Sequence, residues 1–196
     1  MSDILNDLFG FFRHTTARRS DVREVREDLA EKLGDEFEES LTQFFLRHVE
    51  SRWLEMYNCL VRLLSLWESS SEYFLVFLPN STSQSDKKTV ESDRYKKLAK
   101  FFRGTSGVRN KIRVRFLIFL CKIFRPFLTV LQAQKPMVHQ LFTRAVILMK
   151  EVMNLVLLEG SVPGNTVLLA DLEIDEAVLK EPKHCYFGGG LGVKQL

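Results

Sequence analysis

Most of the features that quickly betray a function are missing from these 196 residues. There are three cysteines, Cys59, Cys121 and Cys185, widely spaced and two of them inside apolar helical stripes. That is how small buried residues behave, so no disulfide framework is expected and a reducing compartment fits best. The four histidines, His14, His48, His139 and His184, have no cysteine or carboxylate beside them at metal-ligand spacing, and no metal or other cofactor is expected. There is no Gly-x-Ser-x-Gly and no Walker loop, and the closing GGGLG lacks the strand and helix that would make it a phosphate cradle. Nothing marks a nucleophile or a general acid-base pair, so no enzyme is expected. The opening MSDILNDLFGFF has acids where a signal peptide needs a basic region.

The most hydrophobic run, Phe116 to Leu131, is also too short to span a bilayer, which takes about 20 mostly apolar residues. It contains Lys122, Arg125 and Pro126 and reads as a core helix. Bulky apolar residues mixed with Lys and Arg would also suit an interfacial helix, but no membrane and no small-molecule substrate is expected as a partner. Strict apolar alternation and internal repeats are absent too, which excludes sheets and solenoids.

What remains is helical periodicity. The fold class expected is all-α, an irregular bundle of six or seven helices over residues 1–160, followed by an acidic, Gly/Pro-rich tail over 161–196. The 45% hydrophobic content and sixteen phenylalanines call for a core filled with aromatic rings. The cleanest stripe runs through His48 to Leu78, where Trp53, Met56, Tyr57, Leu60, Leu63, Leu64 and Trp67 recur at three- and four-residue steps. Ahead of it, Ile4 to Phe12 makes a short apolar helix. Ala17 to Leu33 makes one with a narrow seam, with Ser20 as its N-cap and Gly34 as its stop. Leu41, Phe44, Phe45 and Val49 also stand at helical spacing.

After Leu78, PNSTSQSDKK is expected to be a water-exposed loop. A helix from Thr89 to Phe102 should follow, ended by the tract GTSG at Gly104 to Gly107, and then a long one from Val108 to Ala133 kinked near Pro126. Pro136 should open a last helix whose Val138, Leu141, Phe142, Ala145, Val146, Met149, Val152 and Met153 share one face and pack on the helix before it. Beyond Gly160 only a short turn from Asp175 to Lys180 is expected.

Charge is the strongest functional signal. Lys87, Lys88, Arg94, Lys96, Lys97, Lys100, Arg103, Arg109, Lys111, Arg113 and Arg115 face only Glu91 and Asp93, which sets this segment at +9 and, with the whole chain at +3, the remainder at −6. Such a segment suits contact with phosphates, whose counterions are released on binding. The alternative is a solvated face using lysine for solubility. Arg52 and Trp53 at a helix start could hold a base or a carboxylate, the alternative being a tryptophan buried in the core.

Around that pair the chain resembles a known family. His48 to Leu54, HVESRWL, followed by YNCLVRLLSLWESSSEYF, is similar to the segment of hAT-family transposases in which a Thr-Arg-Trp-Leu motif opens a helix ending near an aromatic-Phe pair. FLIFLCKIFRPFLTVLQAQKPMVHQLFTRAVILMKEVM resembles the family's helical insertion, with its polar Leu-Gln-x-x-x-Pro break, and Leu168 to Gly190 resembles the stretch leading back to the catalytic core. The family cuts DNA with an Asp-Asp-Glu set on an RNase H-like core. This chain resembles the insertion without the strands that carry those acids. The resemblance therefore implies a non-catalytic, domesticated relative in the nucleus, a cytoplasmic location being the alternative without it. It also places a base-stacking role on Trp53, with Arg52 beside it, although Ser51 stands where the family has Thr. The sites expected to touch nucleic acid are Arg52, Trp53, Lys96, Lys97, Lys100, Arg103, Arg109, Lys111, Arg113 and Arg115. The expected partner is DNA; the competing reading is a protein-interaction module that recruits another protein or a second copy of itself.

Overall fold

A computed structural model describes residues 1–13, 15–33, 44–49, 53–131, 138–162, 176–181 and 185. The fold is all-α: eight helices and no strand among the described residues. They are α1 (Ser2–Arg13), α2 (Thr16–Leu33), α3 (Trp53–Ser65), α4 (Trp67–Glu72), α5 (Gln84–Glu91), α6 (Asp93–Phe102), α7 (Gly104–Leu131) and α8 (Val138–Val156). The chain divides into two compact units, Met1–Arg115 and Phe116–Leu196, and the boundary falls inside α7. Arg52, Gly34, Leu41, Pro136 and the Gln-x-x-x-Pro break lie outside the described residues, as do the side chains of Trp53 and Val138.

Two breaks raise the helix number above the expected six or seven. The stripe from His48 to Leu78 is bent at Leu66, which leaves helical geometry for one residue (φ −96°, ψ 8°) while Ser70 N–H still bonds its carbonyl at 2.9 Å. The expected Thr89–Phe102 helix is split by Ser92, whose backbone is extended and whose hydroxyl accepts from Tyr95 N–H at 3.2 Å, capping α6. The anticipated loop after Leu78 shrinks to Ser81–Ser83, because α5 forms from Gln84 onward and Ser81 Oγ donates to Asp86.

Other expectations move by a few residues. Ser20 is not an N-cap, since α2 already starts at Thr16. The entry is organised instead by Arg18 and Arg19, which donate to the carbonyls of Phe11 (3.0 Å), Phe12 (2.9 Å) and Arg13 (2.9 Å) and satisfy the open end of α1. Phe44 to Val49 is not helical. Its carbonyls take donors from α3: Arg62 reaches Phe44 O at 3.3 Å and the Cys59 thiol reaches Arg47 O at 3.7 Å.

In the first unit α1 buries Leu5, Leu8, Phe11 and Phe12, and the two rings pack on Tyr73 and Phe74; Leu60, Leu63, Leu98 and Phe102 are buried in the same unit. Phe74 and Phe102 stack at 5.7 Å with planes 9° apart. Helix α4 continues through a π-helical segment, Tyr73–Phe77, into a last turn, Leu78–Asn80. Pro79 explains the wider turn: it has no N–H to give, and Leu78 N–H reaches back to Tyr73 O. Phe74 O thereby loses a helical donor and accepts the Tyr95 hydroxyl at 2.8 Å instead.

In the second unit α8 runs to Val156, and the chain returns to it through a 3₁₀ turn, Glu176–Val178, where a short turn was expected. Leu157 and Leu179 pair in an antiparallel bridge, Leu158 N–H donating to Val178 O at 2.8 Å and Lys180 N–H to Val156 O at 2.7 Å. Among the described residues, this return meets the C-terminal end of α8. Met153 and Leu157 are buried, but Phe142, on the same apolar face, is 76% exposed.

Candidate nucleic-acid interface

Helix α6 is amphipathic in the strictest sense. Tyr95, Leu98, Ala99, Phe101 and Phe102 are buried, and on the other side Lys96 and Lys100 stand four residues apart, both exposed, with the exposed Arg103 just past the helix end. The buried rings hold the ridge in place.

A tight corner links it to α7. The break lies at Arg103, which is extended (φ −77°, ψ 132°), and Gly104, which takes the left-handed φ of +53° open to glycine. The rest of GTSG is the first turn of α7 rather than a linker. Gly107 is buried against Phe102, and a Cβ there would stand 2.1 Å from the Phe102 carbonyl oxygen. Asn110 Nδ2 donates to Phe101 O at 2.9 Å across the same corner. Beyond it Arg109 and Arg113 are exposed and four residues apart, a second short ridge on α7. Arg113 also donates to Asn110 Oδ1 at 3.4 Å.

Lys87 and Lys88 are exposed on α5, and the other cations of the segment are placed differently. Lys97 of α6 donates to Asp7 of α1 at 2.6 Å, and Arg94 approaches the same carboxylate at 3.7 Å. The hydrogen bond to Asp7 raises the Lys97 ammonium above its ordinary value. Lys111 is paired with Glu68 of α4, and Arg115 is half-buried. Lys96 is 4.0 Å from Asp93, a contact too exposed to hold it. Among the described residues, Lys100, Arg103 and Arg109 have no ion-pair partner. So the ten residues expected from sequence divide: five stand on the two ridges, Lys97 and Lys111 are held by carboxylates, Arg115 lies partly inward, and Arg52 with the Trp53 ring falls outside the described residues.

Sequence spacing gave no hint of Asp7 and Glu68, which arrive from distant helices. It did hold one overlooked signal, that no Asp or Glu stands between Asp93 and Glu151, a run that takes in Lys122, Arg125, Arg144 and Lys150 as well. Trp67, the other tryptophan, is buried at 4% exposure between Phe101 and Phe102, with ring centres 5.4 and 5.0 Å away. The aromatic residues of the basic segment itself, Tyr95, Phe101 and Phe102, are all buried.

No cluster of metal-ligating side chains occurs among the described residues. Burial pushes the Cys59 and Cys121 thiols up, away from the reactive thiolate. Arg26 of α2 is 1% exposed, lies 5.6 Å from the centre of the Phe44 ring, and is drawn down to about 10 by burial and by Arg62 and Arg23, which leaves it charged at neutral pH. None of the described helices is long and apolar enough to cross a membrane. No protein-family model, curated protein or solved structure matches the chain.

Proposed function

We propose that this chain is a non-catalytic, transposase-derived helical domain of the nucleus that binds nucleic acid through phosphates, without reading sequence. The observation that carries the reading is the pair of exposed cationic ridges, Lys96–Lys100–Arg103 and Arg109–Arg113, fixed at one corner by Gly104, Gly107 and Asn110. Cations held on a rigid frame lose little side-chain and backbone freedom on binding beyond their own rotamers. The positive end of the α7 dipole adds to the field at that corner. Contacts of this type go to the backbone and carry no sequence information. The transposase ancestry rests on the Arg-Trp motif at Arg52 and Trp53 and on the likeness of Phe116 to Met153 to the family's insertion.

The test is fluorescence anisotropy with a labelled DNA duplex as salt is raised. Binding that weakens linearly in log–log form supports the reading, and no binding at low ionic strength overturns it. Metal-dependent nicking of a DNA hairpin by the purified chain would overturn the non-catalytic part.

A second reading, a protein-interaction module, is favoured by one observation. Phe142 at 76% and Met149 at 38% exposure leave one end of the α8 apolar face open. A pull-down that survives charge reversal of Lys100, Arg103, Arg109 and Arg113 would support it.

A further inference from the structure

We infer that Asp7 and Glu68 are internal counterions that fix how much of the basic segment a polyanion can use. The inference rests on the nucleic-acid reading and concerns the regulation of that same surface. By sequence the whole segment from Lys87 to Arg115 is available. By structure three of its cations already face carboxylates: Arg94 and Lys97 share Asp7, and Lys111 has Glu68.

What makes these carboxylates restraining is where they are anchored. Asp7 sits on α1 between Leu5 and Leu8, which are 2% and 0% exposed, and its helix continues into the buried Phe11 and Phe12. Glu68 follows Trp67, 4% exposed and packed on the aromatic rings of α6. Neither carboxylate can retire with a mobile loop when a phosphate arrives. An incoming polyanion that recruits Lys97, Arg94 or Lys111 meets a fixed negative charge within a few ångströms of its own, a like-charge cost that an exchange of partners does not remove. The footprint is therefore drawn from the cations that face neither carboxylate, and the five on the two ridges, Lys96, Lys100, Arg103, Arg109 and Arg113, correspond by themselves to a log–log salt slope of roughly −4 to −5 on duplex DNA.

The experiment measures that slope for a labelled duplex with the full chain, the Asp7→Asn/Glu68→Gln double variant, and Glu91→Gln. Glu91 is an exposed carboxylate of the same segment that holds no cation among the described residues, so it changes net charge equally per site without releasing a partner. The double variant should bind roughly tenfold tighter near 0.1 M salt and steepen the slope by about two to three, as the released cations make contacts. Glu91→Gln should leave the slope where it is. Thermal melts confirm that each isosteric variant is folded. A double variant whose slope equals that of the unmodified chain, or a Glu91→Gln that steepens it as much, overturns the restraint. If the unmodified chain does not bind duplex at low salt, the parent reading fails first, whatever the double variant does.

Discussion

Gly107 of α7 lies so close to Phe102 of α6 that a methyl group on its Cα would stand 2.1 Å from the Phe102 carbonyl oxygen. Backbone faces backbone there, with no flexible side chain to give way. Gly107→Ala is therefore expected to pry the corner open, costing about 1–3 kcal/mol by the usual scale of overpacking. A drop in the denaturant midpoint at unchanged slope checks the stability effect. Weaker duplex binding by the same variant, with the cations untouched, checks that the corner positions them.

Tyr95 serves a carbonyl that the proline has orphaned. Its hydroxyl is the donor that Phe74 O accepts, at 2.8 Å, where Pro79 has no N–H to offer. Tyr95→Phe removes that donor and keeps the ring. A loss of about 1–3 kcal/mol is expected, the scale for a buried acceptor left unsatisfied. Urea unfolding of the two forms measures it, and an unchanged midpoint would contradict the account of the π-helical segment.

Alkaline pH should act on the same core. Burial raises both Tyr73 and Tyr95 above the ordinary value of 10.0, so each is easier to deprotonate in the unfolded chain than in the folded one. The tyrosine contribution is full below about pH 10 and is lost as pH rises above it, because the unfolded state gives up protons first. The buried Cys59 and Cys121 thiols, raised above 9.0, act in the same direction, so stability measured from pH 8 to 11 should begin to fall near pH 9 and fall further above pH 10. Tyr73→Phe should flatten that fall.

Single truncations on the ridges should report footprint one contact at a time. Arg109→Ala and Arg113→Ala are each expected to weaken duplex binding and to reduce the salt slope by about one, uniformly across sequences. A sequence-dependent loss would instead indicate base contacts.

Tryptophan emission separates two modes of binding. Trp67 is enclosed by Phe101 and Phe102, so it has no face open to a base. Quenching on addition of single-stranded DNA would come from Trp53, and its loss in Trp53→Phe would establish the stacking role that the family resemblance implies. Duplex held through phosphates alone should leave the emission unchanged.

The all-α class was legible because its signal is local. Leu60, Leu63 and Trp67 announce a buried stripe by their spacing, and all three are buried. Helix ends were less legible. Ser92 competes for backbone hydrogen bonds inside what reads as a continuous helix, and Ser20 has the right chemistry for a cap but lies inside α2, which already starts at Thr16. Phe44 and Phe45 have helical spacing but lie in a non-helical stretch that borrows its donors from α3, a competition between segments that no window of sequence contains.

The sequence by itself determined that this chain is helical, that its core is aromatic, and that its positive charge is gathered between Lys87 and Arg115, since periodicity and charge are properties of neighbours along the chain. Only the tertiary structure decided which of those charges remain free. Asp7 and Glu68 are remote in sequence from Lys97 and Lys111, and the packing of α1 and α4 brings them within hydrogen-bonding distance. Electrostatic energy depends on separation in space, and that separation is set by the buried faces rather than by the order of the residues.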